Sequence, residues 1–328
     1  MMTALHTVLS TNTPTTLAII GLAKNTGKTT TLNACIKTLH TSKTLALTSI
    51  GLDGEKIDQV TFLPKPHIAV KKGMILATAE QTLTTTTCQY RLIKRTLFST
   101  ALGDIIIIKI THPGEIVIAG PTTNTDLHHI ITELKTLSDM VLIDGAFNRK
   151  TFASIPTLDG VILATGASLH PEMETTVKTT KTIVESFQLP KTTYDITPIQ
   201  NNLKPLPKYT LNTKKPIGTI LPLQNPYQNK TLYIKGAITK SIIDTFIRNT
   251  EKNMTLLIQD ATKLLLPTHY FSYIKKLNLT IEVLHKIPLL CVTINPFRPN
   301  GMDYDKTTFK IAMQAAITIP VINVQEKE

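Results

Sequence analysis

The stretch that most restricts the fold is Gly21-Leu22-Ala23-Lys24-Asn25-Thr26-Gly27-Lys28-Thr29-Thr30. A short apolar run, Leu17 to Ile20, precedes it. Leu32, Cys35, Ile36 and Leu39 follow at the i, i+3, i+4, i+7 spacing of a helix with one apolar face. Strand, glycine loop, Gly-Lys-Thr and helix, in that order, form the context of a phosphate-binding loop. Glycine lets the backbone close around phosphate oxygens because no Cβ intervenes. The helix N-terminus adds free N–H groups and the positive end of its dipole. On this reading Gly21, Lys24, Asn25, Thr26, Gly27, Lys28, Thr29 and Thr30 bind the nucleotide, with Lys28 on the β- and γ-phosphates and the Thr29 hydroxyl on Mg²⁺. One position departs from the strict pattern. Leu22 stands where a glycine belongs, and the glycine, Gly21, comes one residue earlier. The plain alternative is a Gly-Lys-Thr turn that opens an ordinary surface helix.

At 328 residues the chain has room for about two domains, each with a full core. Hydrophobic content of 42% and charged content of 18% exclude wholesale disorder. No apolar run approaches the ~18 residues of a membrane span. The N-terminal residues lack the basic and apolar regions of a signal peptide. The three cysteines, Cys35, Cys88 and Cys291, are far apart and lack metal-ligand spacing. They read as reduced thiols of a cytoplasmic protein. A net charge of +12 raises nucleic acid as a partner. Lys and Arg are spread along the chain, however, and no Arg-rich helix or stacking aromatic cluster accompanies them, so no specific nucleic-acid site is expected.

Strands and helices alternate through the first half, which predicts a mostly parallel sheet with helices on its faces. Strands are expected at 17–20, 45–50, 65–70, 140–144 and 161–164. Helices are expected up to His40, around Glu80, over 90–98, over 125–137 with Asn124 as cap, and over 171–187. Ile105 to Ile110 and Glu115 to Ala119 flank His112-Pro113-Gly114, the pattern of a hairpin. Seven prolines interrupt residues 190–230. The reading is therefore a P-loop ATPase domain at 1–189, a linker or crossover at 190–230, and a smaller α/β domain at 231–328.

Phosphoryl transfer needs positioning and charge neutralisation more than covalent help. Asp144 ends a buried strand, where its carboxylate would face the Mg²⁺ shell. Asp53 and Glu55 follow the second strand, where they would bind metal or orient water. Ligands of open parallel sheets collect at the carboxyl ends of strands, and all these groups lie there. Lys28, Asp53 and Asp144 are the catalytic candidates, and Thr29, Asp53, Glu55 and Asp144 the metal candidates. Asp53 and Asp144 also fit simple turn roles. Lys24 adds a cation to the loop, and Arg149 lies within reach of the same edge in sequence. The nine histidines form no metal or nucleophile constellation.

Several stretches together resemble the ATPase subunit of lysine 5,6-aminomutase reactivase. They are the loop from Gly21 to Asn33, Thr48-Ser49-Ile50-Gly51-Leu52-Asp53-Gly54-Glu55, Ile143-Asp144-Gly145-Ala146, Leu163-Ala164-Thr165-Gly166-Ala167, Thr293-Ile294-Asn295-Pro296 and Ile319-Pro320-Val321-Ile322. The loop spacing is also similar to that of dethiobiotin synthetase and the nitrogenase-iron-protein-like ATPases. The resemblance implies an ATP- and Mg²⁺-dependent protein that drives damaged cobalamin out of an adenosylcobalamin-dependent aminomutase. Its expected partners are lysine 5,6-aminomutase or a similar mutase and a mismatch-repair-like second subunit, with homodimerisation left open. Two other classes stay open: a small-molecule enzyme of the dethiobiotin synthetase type, and a nucleotide-gated assembly or partitioning ATPase.

Overall fold

The computed structural model describes residues 4–50, 67–146, 158–194, 208–209, 218–221, 230–249, 252–299 and 301–325. The chain forms two compact units, residues 1–181 with 288–328, and residues 182–287. The first unit opens with α1 (Ala4–Asn12), β1 (Thr16–Gly21), α2 (Lys28–Leu39) and β2 (Leu45–Ser49). It continues through β3 (Ile68–Val70), β4 (Ile75–Ala79), β5 (Gln89–Thr100), β6 (Gly103–His112) and β7 (Gly114–Ile116). Then come α3 (Asn124–Lys135), β8 (Met140–Ala146), β9 (Gly160–Gly166) and α4 (Met173–Phe187), in which the boundary between the units falls after Lys181. The second unit holds β10 (Lys208–Tyr209), β11 (Gly218–Ile220), β12 (Lys230–Tyr233), β13 (Ile238–Thr239) and α5 (Lys240–Arg248). It is completed by β14 (Met254–Ile258), β15 (Leu264–Leu265), α6 (Tyr270–Lys276) and β16 (Thr280–Val283). The chain then returns to the first unit with β17 (Leu289–Asn295), α7 (Lys306–Ala316) and β18 (Val321–Ile322).

The first unit is built on a nine-stranded sheet in the order β18-β17-β9-β1-β8-β2-β4-β6-β5. Neighbours from β18 to β4 run parallel, and β6 and β5 close one side antiparallel. A mixed α/β fold with a large, mostly parallel sheet is thus in place. Its central strands are buried on both faces, as their unbroken apolar sequences require. Leu17, Ile19, Leu45, Leu47, Met140 and Leu142 share one core with Leu32, Cys35, Ile36 and Leu39 of α2 and Leu5 and Leu9 of α1. The α2 positions are the four that the helical spacing selects. On α3, Leu127, Ile130, Ile131 and Leu134 are fully buried, and the helix packs against β8 and β4.

Several sequence expectations change. Residues 89–100 are a strand, not a helix, and the stretch at Glu80 is a 3₁₀ turn, Glu80–Thr85. The turn between β5 and β6 makes the hairpin, whereas β7 leaves β6 and pairs with β3 in a separate two-stranded sheet. Thr123 caps α3 by accepting from Asp126 N at 3.1 Å, and Asn124 is the first helical residue.

The largest correction concerns the domains. Residues 231–328 are not one domain: β17, α7 and β18 complete the first sheet, with β17 parallel to β9. Nor is 190–230 only a linker, because β10 and β11 lie in the second unit's sheet. The physical reason is strand pairing. β9 would be an edge strand with its apolar residues uncovered on that side if β17 were absent, and Cys291, Val292 and Ile294 are buried there at 2% exposure or less.

The second unit has a five-stranded sheet in the order β10-β11-β12-β14-β16, parallel only from β12 to β16. Phe246 and Ile243 of α5 pack with Leu256 and Ile258 of β14 in its core. Beyond β14, Asp260 is fully buried. Its Oδ1 accepts from Thr262 N at 2.9 Å and Thr262 Oγ1 at 2.7 Å, while Oδ2 has no hydrogen-bond partner. Burial raises this carboxyl's pKa, against lowering by the Thr262 bonds, Lys263 and His285. A carboxyl raised in the folded state contributes stability at low pH that is lost as pH rises through its folded pKa. Asp260→Asn keeps the Oδ1 acceptor and removes the buried charge. Its melting temperature should exceed wild type at neutral pH, with the gain shrinking toward about pH 4. A gain that grows on acidification would contradict the burial argument.

Candidate functional site

The glycine loop leaves the sheet at its centre, between the carboxyl ends of β9 and β8. Gly21 aligns with Ala146 of β8 and Ala164 of β9. Leu22 N donates to Ala164 O at 3.1 Å, which fixes the first step out of the strand. Thr26 is buried and its hydroxyl donates to Ala23 O at 3.0 Å, closing the loop on itself. Asn25 and Gly27 adopt left-handed backbone, with φ of 60° and 86°. Asparagine tolerates that region, and glycine enters it freely. Gly27 is also held by space: a Cβ there would lie 2.9 Å from Asn295 Cβ.

α2 begins immediately after Gly27, with Lys28, Thr29 and Thr30 in its first turn. No side chain caps this end. The first N–H groups of a helix have no intrahelical carbonyl to bond. Lys28 turns back to the sheet and its Nζ lies 3.2 Å from Asp144 Oδ1, both side chains about one-fifth exposed at 22% and 18%. The contact is ionic only, since Asp144 Oδ1 accepts no hydrogen bond of good geometry. Asp144 aligns with Ile19 of β1 and Ser49 of β2. It follows Leu142 by two residues on β8 and so shares the α2 face, which is how Lys28 reaches it.

The structure therefore brings Gly21, Asn25, Thr26, Gly27, Lys28, Thr29, Thr30 and Asp144 to one place, and Lys24 is exposed on the same loop. Asp53, Glu55 and Arg149 lie outside the described residues. The strand that leads to Asp53 and Glu55 does end beside Asp144, because Ile50 N donates to Asp144 O at 3.0 Å. Among the described residues no group of three His, Cys, Asp or Glu side chains could hold a metal.

Sequence reasoning missed the brace behind the loop. Asn295, at the end of β17, donates its Nδ2 to Asn25 O at 2.9 Å. Its own carbonyl accepts from Ala167 N at 2.9 Å. A Cβ on Gly166 would stand 2.2 Å from that carbonyl, so this close approach needs glycine. One turn into α2, Thr31 and Thr293 of β17 pair hydroxyl to hydroxyl at 2.8 Å, both buried. The signal was a strand ending in a polar amide, Thr293-Ile294-Asn295, but sequence does not say which sheet a strand joins. A cavity of about 640 Å³ is lined by residues that follow β17 and open α7, among them Pro296, Phe297, Asp303, Tyr304, Asp305 and Lys306. A second, of about 290 Å³, lies at the amino ends of β2 and β4, beside Lys43, Lys72 and Asp139. Of the cysteines, Cys35 and Cys291 are free and fully buried, and burial pushes the Cys291 thiol up to about 12, so neither is a nucleophile.

Comparison of the chain with protein-family models, with curated proteins and with solved structures finds no match.

The Thr31–Thr293 pair makes the brace measurable. Thr293→Val should cost about 1–3 kcal/mol by leaving a buried hydroxyl without a partner. Thr31→Val combined with Thr293→Val should recover most of it, because both polar groups are then gone. Denaturant unfolding of the two single variants and the double variant checks this. Strictly additive losses would show that the hydroxyls do not pair.

Proposed function

We propose that the glycine loop binds the phosphates of ATP with Mg²⁺ and that the chain hydrolyses it. The observation that carries this reading is the Lys28–Asp144 ion pair at the uncapped N-terminus of α2. A cation, free helix amides and a carboxylate with an unbonded oxygen converge where a triphosphate needs them. Lys28 would leave Asp144 for phosphate oxygens, and Asp144 with the Thr29 hydroxyl would hold Mg²⁺. The buried Oδ1 of Asp144, which lacks a hydrogen bond, fits that duty. When bound, the ion neutralises charge on the phosphate oxygens. The cavity past Asn295 is within the usual size for a small-ligand site, and it opens at the same strand ends. It suits the base and ribose.

The particular role proposed is that of an aminomutase reactivase, acting with a second subunit on an adenosylcobalamin-dependent enzyme. The resemblance of the loop, the Thr48–Glu55 stretch and the Asp144 and Thr165 segments supports this role. No cobalamin-binding pattern occurs in the chain, so the cofactor would belong to the client.

Lys28→Ala should lower ATP hydrolysis by about 10²–10³-fold, the loss typical of one preorganised charge donor, while the melting temperature stays near wild type. Asp144→Asn should reduce turnover more than ATP affinity. Unchanged hydrolysis in Lys28→Ala would place the nucleotide elsewhere. Turnover of a small carboxylate by the chain alone would favour the dethiobiotin synthetase type of enzyme.

A further inference from the structure

We propose that β5 is a docking edge that accepts an extended, alternating acidic and apolar segment of another protein as a tenth strand of the large sheet. Among the described residues β5 is the outermost strand on its side, paired only with β6. Its outer flank therefore presents backbone N–H and C=O groups without strand partners. It is 12 residues long, twice a typical strand, and contains no proline. Tyr90, Leu92, Ile93 and Leu97 are 40%, 49%, 40% and 99% exposed. A long edge that also exposes large apolar side chains is what folded proteins ordinarily avoid, unless something covers it.

The charges on the strand identify the occupant. Arg91 sits between exposed Tyr90 and Leu92, and it lies directly across from Lys109 of β6. Like charges facing each other across strands are destabilising. The strand's other two cations are matched inside the unit: Lys94 pairs with Glu133 of α3, and Arg95 forks onto Glu80 at 2.9 and 2.7 Å. The Arg91–Lys109 pair is the place where an incoming carboxylate gains most. A second copy of the chain is disfavoured on two grounds. β5 carries no acidic residue, so an antiparallel copy would bring no carboxylate to Arg91, and two chains of net charge +12 repel each other. Single-stranded nucleic acid would want stacking aromatics and unneutralised cations, and this strand offers Tyr90 and Arg91 where a stacking groove needs several of each. An acidic–apolar strand meets both requirements: backbone pairing gives affinity, and alternate side chains cover Tyr90 and Leu92 while opposing Arg91.

The test uses the full chain and three fluorescent peptides of the length of β5. One alternates Glu and Asp with Val and Ile, one has the same composition with the acids grouped at one end, and one carries Lys in place of the acids. The alternating acidic peptide should bind best, slow amide exchange within Gln89–Thr100, and weaken with added salt. Arg91→Glu should shift the preference toward the lysine peptide by about threefold, the order of one cross-strand charge pair. Leu97→Ser, at a residue almost wholly in solvent, should weaken binding with no change in the melting curve, and it keeps the test open if Arg91→Glu perturbs folding. Equal binding of all three peptides, or exchange protection confined to residues outside β5, would overturn the proposal. So would tighter binding of a single-stranded oligonucleotide to the same strand, or a concentration-dependent dimer that protects these amides without peptide.

Discussion

The bond from the Asn295 side chain to the Asn25 carbonyl joins residues 270 positions apart, and the loop depends on it. Gly27 O is satisfied inside α2, accepting from Thr31 N at 2.9 Å, whereas the carbonyl of the left-handed Asn25 takes its bond from outside the loop. Asn295 supplies that bond and fills the space that a side chain at position 27 would take. Its own position is set from the other side by the Gly166 contact and the bond from Ala167. The loop is therefore clamped between the strand before it and the strand near the end of the chain. What looks like a local motif rests on a long-range pairing of β17 with β9.

The local half of this arrangement was legible in the sequence. The strand–loop–helix order, the apolar face of α2 and the strand-end position of Asp144 all follow from spacing and burial, and the structure carries each of them. The long-range half was not. β17 looks like any buried strand, and its neighbours in sequence, β16 and α6, lie in the other unit. A contiguous reading therefore assigned it there. Nothing in the residues Leu289 to Asn295 distinguishes a partner at β16 from one at β9, because both would bury the same apolar side chains.

The strand at 89–100 was misread for a different reason. Tyr90, Ile93 and Leu97 fall at i, i+3 and i+7, three of the four positions of a helical apolar face. The slip between Leu92 and Lys94 breaks the two-residue alternation that would have marked a strand. An edge strand exposed on both faces supplies no compensating apolar pattern. Thr123, rather than Asn124, caps α3 because its extended backbone aims the hydroxyl at Asp126 N; by residue type alone asparagine is the stronger cap, which is why the sequence points to Asn124.

The brace behind the loop requires that β17 belong with β9 and α2, and thiol labelling during unfolding measures that directly. Cys35 lies on α2 and Cys291 on β17, both fully buried in the same core. Pulsed alkylation across a denaturant series, read by mass spectrometry, should show both thiols becoming reactive at one midpoint. Amide exchange in β14 reports the second unit in the same samples. If Cys291 opens together with β14 while Cys35 stays protected, then the last strands belong with the second unit, and the brace behind the loop does not exist.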